Sequence, residues 1–377
     1  MVLLDYLKWR NDVNLKISPF NDIDNVILSC LAYIDFGEFF ANSDESYTLE
    51  EIFELFCKNH SLDEIRESKQ FTERVALLLE EMVQADRFKG TKVVHYAEDI
   101  DKEKVKQFAA VTFILPDGTN YISFRGTDST IIGWKEDFLM TFMSDTEGAK
   151  EAVKYLNEVS KLLEGELIVG GHSKGGNFAM FASAFCDKVV QDRISRVYNN
   201  DGPGFRDEVI KSSEYQAIVN KICTIVPQTS MIGQLLANES EQKVIESDAF
   251  GIYQHDAMTW KVKKDSFVEA ELDAFGNFVD VALGSWLEKI DDETRLSIVS
   301  TVFSMIEETE AETFYEFSDS LFKNTGIIIK GLVKLPKEKR TELMTALSSL
   351  IKVSSRTVLN RIPKPAEGIG IEKKNNL

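Results

Sequence analysis

The chain has 377 residues, room for one large domain or two ordinary ones. Its apolar fraction of 44% and charged fraction of 28% are globular values, which excludes disorder as a description of the whole. With 43 basic and 62 acidic residues the net charge is −19, which excludes a nucleic-acid-binding face over most of the surface. The charge is uneven. Residues 327–377 carry eleven Lys and Arg against four Asp and Glu, a local +7, so residues 1–326 carry −26. Any anionic partner is therefore to be sought at the C-terminal end.

Taken in chain order, residues 20–88 read as helices. Ile23, Val26, Ile27, Cys30, Leu31 and Ile34 recur at helical spacing. Thr48 with Glu51, and Ser61 with Glu64, have the spacing of capping boxes that open the next helices. Phe71, Val75, Leu78, Leu79, Met82 and Val83 make a further stripe. Near Thr91 the pattern changes to short β-branched runs: 92–96, then 107–115 and 120–125 around a Pro116-Asp117-Gly118 turn. Ala149 to Leu163 follows as an amphipathic helix, 166–170 as a buried strand and 177–185 as a helix. Residues 194–199 and 221–226 are further strands. Alternating strands and helices predict an α/β fold, a mainly parallel sheet with helices on both faces. After about Trp260 the strands stop, and stripes at Ile298–Ile306 and Leu343–Ile351 predict helices. The expected organisation is a helical N-terminal segment (1–88) packed on an α/β core (89–262), then a helical C-terminal segment (263–377) with a frayed basic tail.

The four cysteines (Cys30, Cys57, Cys186, Cys223) are widely spaced, form no CxxC pair and sit among apolar residues. They read as small buried hydrophobes in a reducing compartment rather than as disulfides. The N-terminus lacks a secretory pattern and no run approaches about 18 apolar residues, so a soluble, cytoplasmic protein is expected.

The chemistry is carried by Gly171-His172-Ser173-Lys174-Gly175, a G-x-S-x-G between a β-branched strand and an apolar helix, the strand–turn–helix setting of a nucleophile elbow. The turn holds its serine in an unfavourable backbone conformation, and tiny flanking residues let strand and helix pass closely. The bland alternative is a glycine-rich turn with an idle serine. A serine hydroxyl needs a base, and this fold orders its triad Ser, acid, His. His60 and His95 precede the motif. His172 adjoins the serine on a sharp turn and points away from it. His255 is the only histidine after Ser173.

Asp201 is the expected acid, because it follows a strand at the sheet edge where catalytic groups collect and opens the Gly202-Pro203-Gly204 turn. Its bland role is a turn cap. Asp248 and Asp256 are the alternatives, Asp256 lying too close to His255 to orient it. The oxyanion donors are expected from the Lys174 N–H and from the Thr127 N–H, in the Ser123–Asp128 loop after an earlier strand. Arg125 and Asp128 are expected to pair and hold that loop, with Asp137 buttressing the same region.

These residues resemble the lipase class 3-like branch of the α/β-hydrolases. Phe124-Arg-Gly-Thr-Asp128, with Trp134 and Asp137, resembles that branch's oxyanion loop, and Gly170-Gly-His-Ser-Lys-Gly-Gly-Asn177 resembles its elbow. More closely, the chain is similar to an uncharacterised bacterial lipase-like family. Asp5–Asp12, Pro19–Asp24, Asn200–Phe205, Val226–Gly233 and the stretch from Gln254 to Trp260 look like its recurring blocks. There is one departure. Class 3 lipases bring their acid from the loop matching Pro227–Ser230, where this chain has none, so either Asp201 serves or Ser230 or Gln228 props the histidine. The resemblance implies an esterase or lipase-like hydrolase that uses no cofactor or metal and acts on a small-molecule or lipid ester. The basic C-terminal end is the expected place of any peripheral membrane contact. The rival reading is a hydrolase fold that binds without catalysing.

Overall fold

The computed structural model describes residues 1–42, 45–128, 130–140, 143, 145–273 and 292–307, with residues 337, 340, 341 and 345 beyond them. The chain opens with α1 (Leu3–Arg10), α2 (Asp22–Leu31), α3 (Leu49–Asn59), α4 (Leu62–Glu67), α5 (Phe71–Arg74) and α6 (Ala76–Met82). Thr48 caps α3 as its spacing predicts. Its hydroxyl accepts the Glu51 N–H at 3.2 Å, and the Glu51 carboxylate accepts the Thr48 N–H at 2.8 Å. At Ser61 the hydroxyl accepts the Glu64 N–H at 3.5 Å. Residues 20–88 are not wholly helical, because Ser46–Thr48 form a short strand, β1, paired antiparallel to β2 (Lys92–Asp101).

The remaining strands are β3 (Lys106–Ile114), β4 (Asn120–Phe124), β5 (Leu167–His172), β6 (Ile194–Asn200), β7 (Ile222–Pro227) and β8 (Glu241–Ile245). Among the described residues these make one eight-stranded sheet in sequential order. β1 to β4 pair antiparallel and β4 to β8 parallel, so the half from β4 onward is a parallel sheet. Between the strands lie α7 (Ile131–Met140), α8 (Glu147–Val159) and α9 (Lys174–Phe185), then the one-turn α10 (Lys188–Gln191), α11 (Asp207–Ile210) and α12 (Ser213–Gln216). β8 escapes sequence reading for a physical reason. It is an edge strand, its Glu241-Gln-Lys-Val-Ile245 buries only its last residue, and no apolar alternation marks it. Strand structure also continues past Trp260, in a small hairpin of β9 (Val262–Lys263) and β10 (Ser266–Phe267).

The period-two alternation of the strands divides the interior. On β3, Ala109, Val111 and Phe113 join one core with α1 to α6, while Phe108 and Ala110 join the other with α8 and α9. The helical N-terminal part is thus one wall of the sheet, and α2 lies across β4, β5 and β6. Polar groups fix it there. Asn25 Nδ2 donates to Asn200 Oδ1 at 2.8 Å, the Tyr121 hydroxyl donates to Asn25 Oδ1 at 2.6 Å, and Arg87 forks onto Asp24. Asp24 and Arg87 are both essentially inaccessible, so each needs the other.

Cys30, Cys186 and Cys223 are buried free thiols, but Cys57 is exposed on α3, against expectation. Its neighbours Ile52 and Phe56 face the core, and Cys57 falls on the outer side of the turn. A further helix, α13 (Asp292–Glu307), packs on α7 with the Phe303 and Phe138 rings 5.8 Å apart. Phe303 and Ile306 of the expected stripe are buried. The side chains of Ile298, Val299, Val302 and Trp134, the stripe from Leu343 to Ile351 and the basic tail lie outside the described residues. Among the described residues no helix is long and apolar enough to cross a membrane.

Candidate active site

β5 and β6 end side by side, His172 pairing with Asn200, so Ser173 and Asp201 leave the sheet together at its C-terminal edge. Ser173 has φ 58° and ψ −132°, a conformation an L residue adopts only under constraint. Two glycines supply the constraint. A Cβ on Gly171 would stand 2.3 Å from the Gly175 carbonyl oxygen, and one on Gly175 would stand 2.1 Å from that of Phe124. Only glycine lets α9 start hard against the ends of β4 and β5. The Ser173 N–H donates to the Asn200 carbonyl at 2.9 Å, which ties the elbow to the next strand.

Asp201 also has positive φ, 53°, and is wholly buried. Its N–H donates to the Ile225 carbonyl at 2.8 Å. His255, ending the 3₁₀ turn Gly251–His255, brings Nδ1 to 2.6 Å from Asp201 Oδ2. The other carboxylate oxygen, Oδ1, accepts the Ser230 hydroxyl at 2.5 Å and the Gly233 N–H at 3.2 Å. An imidazole that donates Nδ1–H to a carboxylate presents Nε2 as an acceptor, the state a general base requires. Ser230 therefore props the Asp201 carboxylate rather than the histidine. Asp248 and Asp256 point elsewhere: Asp248 lies 3.2 Å from Lys261 Nζ, and Asp256 pairs with Arg74 and caps Met258.

Thr127 follows β4, and its hydroxyl donates to both oxygens of Asp137, each at 2.7 Å. Burial raises the Asp137 carboxyl to about 6, against the opposing pull of Lys174 and of the Thr127 hydroxyl. The Lys174 side chain runs inward. Its Nζ donates to Gln107 Oε1 at 2.8 Å and to Glu136 Oε2 at 3.0 Å, and neither Lys174 nor Glu136 is accessible. Glu136 also accepts the Gln107 and Gly148 N–H groups, each at 3.0 Å, so α7, α8, β3 and the elbow meet at one carboxylate. Sequence reading used Lys174 for its N–H alone and missed Glu136, since nothing in the local pattern separates a buried ion pair from a solvated one.

The expected Arg125–Asp128 pair does not form. Arg125 donates to Glu98 Oε1 at 2.6 Å and Asp128 caps the Thr130 N–H at 2.7 Å. The register explains it: the Arg125 N–H bonds the Ala109 carbonyl and Ala109 pairs with Glu98, so Arg125 and Glu98 share one row across three strands. His172, set aside as a base, lies beside the site with its ring centroid 4.6 Å from that of His255. Among the described residues no three His, Cys, Asp or Glu side chains gather as a metal site.

No curated protein matches the chain. Among solved structures, the crystal structure of M37 lipase is similar at 14% identity and a TM-score of 0.32, over 45% of this chain and 65% of that one. A family model, Mbeg1-like, matches residues 82–304, which span the sheet from β2 onward, the elbow, Asp201 and His255. With the match covering more than half of the chain, the lipase-like α/β-hydrolase resemblance read from the motifs is borne out, and the protein belongs to the Mbeg1-like family.

Proposed function

We propose that the chain is a serine hydrolase that cleaves a carboxylic ester through an acyl-enzyme. The observation that carries the reading is the Asp201–His255 hydrogen bond beside a serine held at positive φ on a strand–helix elbow. Ser173 Oγ attacks the ester carbonyl while His255 Nε2 takes its proton. Asp201 fixes the tautomer and offsets the charge of the imidazolium. The Lys174 and Thr127 N–H groups donate to the oxyanion, and His255 returns the proton to the leaving alkoxide. Water, activated by the same histidine, then releases the acid.

The rival reading, a hydrolase fold that only binds, drew on the lack of an acid in Pro227–Ser230. An acid delivered instead by the β6 loop and held by Ser230 weighs against it. The buried free thiols support a reducing, cytoplasmic setting. Residues 327–377, with their +7, are the proposed point of contact with an anionic membrane surface. The deciding experiment is covalent labelling by a fluorophosphonate probe. Wild type should be labelled and Ser173→Ala should not; a folded wild-type sample that stays unlabelled removes the enzyme reading.

A further inference from the structure

Tyr33 stands in the turn after α2, far outside the family-matched residues, yet its buried hydroxyl reaches the elbow. It lies 3.0 Å from His172 Nδ1 and 3.5 Å from the His172 carbonyl oxygen. On the other side of the ring, His172 Nε2 lies 2.8 Å from the backbone carbonyl of His255. A carbonyl only accepts, so Nε2 carries the proton. Burial and the neighbouring His255 keep the His172 imidazole well below its usual range, hence neutral. The unprotonated Nδ1 is then an acceptor, and the Tyr33 hydroxyl must donate. Burial holds that phenol well above its usual range, so the donor keeps its proton. The direction of the chain is thereby fixed: Tyr33 O–H to His172 Nδ1, His172 Nε2–H to the His255 carbonyl.

The surroundings leave little freedom. The Phe71 ring lies 5.1 Å from both Tyr33 and His172, and one residue beyond His255 the Asp256 carboxylate pairs with Arg74. The oxyanion loop meets the same point, since a Cβ on Gly126 would stand 2.0 Å from the Tyr33 hydroxyl oxygen and 2.4 Å from the His172 carbonyl oxygen. His255 itself is about a quarter exposed and sits on a short 3₁₀ turn. Asp201 grips only its Nδ1, so the main-chain bond from His172 supplies a second anchor.

We propose that Tyr33 is a positioning residue of the hydrolase: acting through His172, it anchors the backbone of His255 and sets where the imidazole stands between Asp201 and Ser173. This rests on the serine-hydrolase reading. The test uses the full chain and follows fluorophosphonate labelling rate together with kcat and KM on a p-nitrophenyl ester. Tyr33→Phe keeps the ring and removes the donor, so labelling rate and kcat should fall about 10-fold, one hydrogen bond's worth, with KM within twofold. His172→Leu, which frees the carbonyl, should lose about 100-fold, the scale of a small misplacement of a reacting group. His172→Gln, whose amide N–H can reach the His255 carbonyl, should recover much of that loss. Unchanged labelling and kcat in Tyr33→Phe, or equal losses in the Gln and Leu variants, overturns the positioning role. A wild-type chain that is folded but never labelled overturns the hydrolase reading instead.

Discussion

Ser173 and Asp201 both sit at positive φ, and such positions cost about 1–3 kcal/mol each, so the fold must over-determine them. Asp201 is held by four bonds: its N–H to Ile225, and its carboxylate to Ser230, Gly233 and His255. The arrangement predicts the outcome of Asp201→Asn. The Ser230 hydroxyl and Gly233 N–H both donate to Oδ1, so the amide oxygen must take that place and the NH₂ must face His255. A donor facing Nδ1 drives the proton to Nε2, the wrong tautomer for a base. Ester turnover should fall about 10⁴-fold, the loss seen when a triad acid becomes its amide, while thermal unfolding stays near that of wild type because Asn tolerates positive φ. Turnover within tenfold of wild type in a folded variant would remove Asp201 from the role. The place of Asp201 at the sheet edge was legible in the sequence because its strand, turn glycines and position after the elbow all point there. Ser230 was legible only as a candidate prop, because the sequence does not say which neighbour a hydroxyl will meet.

At the scale of elements, the proposed oxyanion side depends on α7. Thr127 hangs from Asp137 on that helix, and the helix is tied beneath the elbow by Glu136 and Lys174. Removing one partner of an inaccessible ion pair strands the other, at a cost of about 3–5 kcal/mol. Lys174→Met should lower the unfolding free energy by that amount in urea titration, though its N–H stays in place. Pairing it with Glu136→Gln should cost less than the sum of the single losses, because no charge is then left alone. Additive losses would show that the two side chains do not depend on each other. None of this tie was legible. The strands and α8 were readable because burial on one or two faces imprints a period, whereas β1 is three residues long and β8 is an exposed edge that buries one side chain. A tie between Lys174 and Glu136 has no period at all, being a contact across 38 residues.

At the scale of the molecule, the N-terminal helices are a wall of one of the two cores rather than an appendage. Val111, Phe113, Tyr121, Tyr198 and Ile225 of the sheet share one core with Leu3, Ile23, Ile27, Leu79 and their neighbours. The sequence showed the helices and their apolar stripes, but not which sheet face they would cover, because a stripe says only that some surface must meet it. The family match begins at residue 82, so a chain cut there keeps every residue of the proposed triad and both proposed oxyanion donors. It also exposes that whole face. Each large side chain released loses about 1.5–3 kcal/mol of burial, and Asn200 and Tyr121 lose the Asn25 and Ser29 partners that satisfy them inside the protein. A folded domain has only about 5–15 kcal/mol in reserve, so a handful of these losses exceeds it. A variant lacking residues 1–81 should therefore show no cooperative thermal transition by circular dichroism, bind a hydrophobic dye and leave Ser173 unlabelled. Should the truncated chain instead melt cooperatively and label at the wild-type rate, the helices would be a cover, and neither the shared core nor the Tyr33 anchor would be needed for the site.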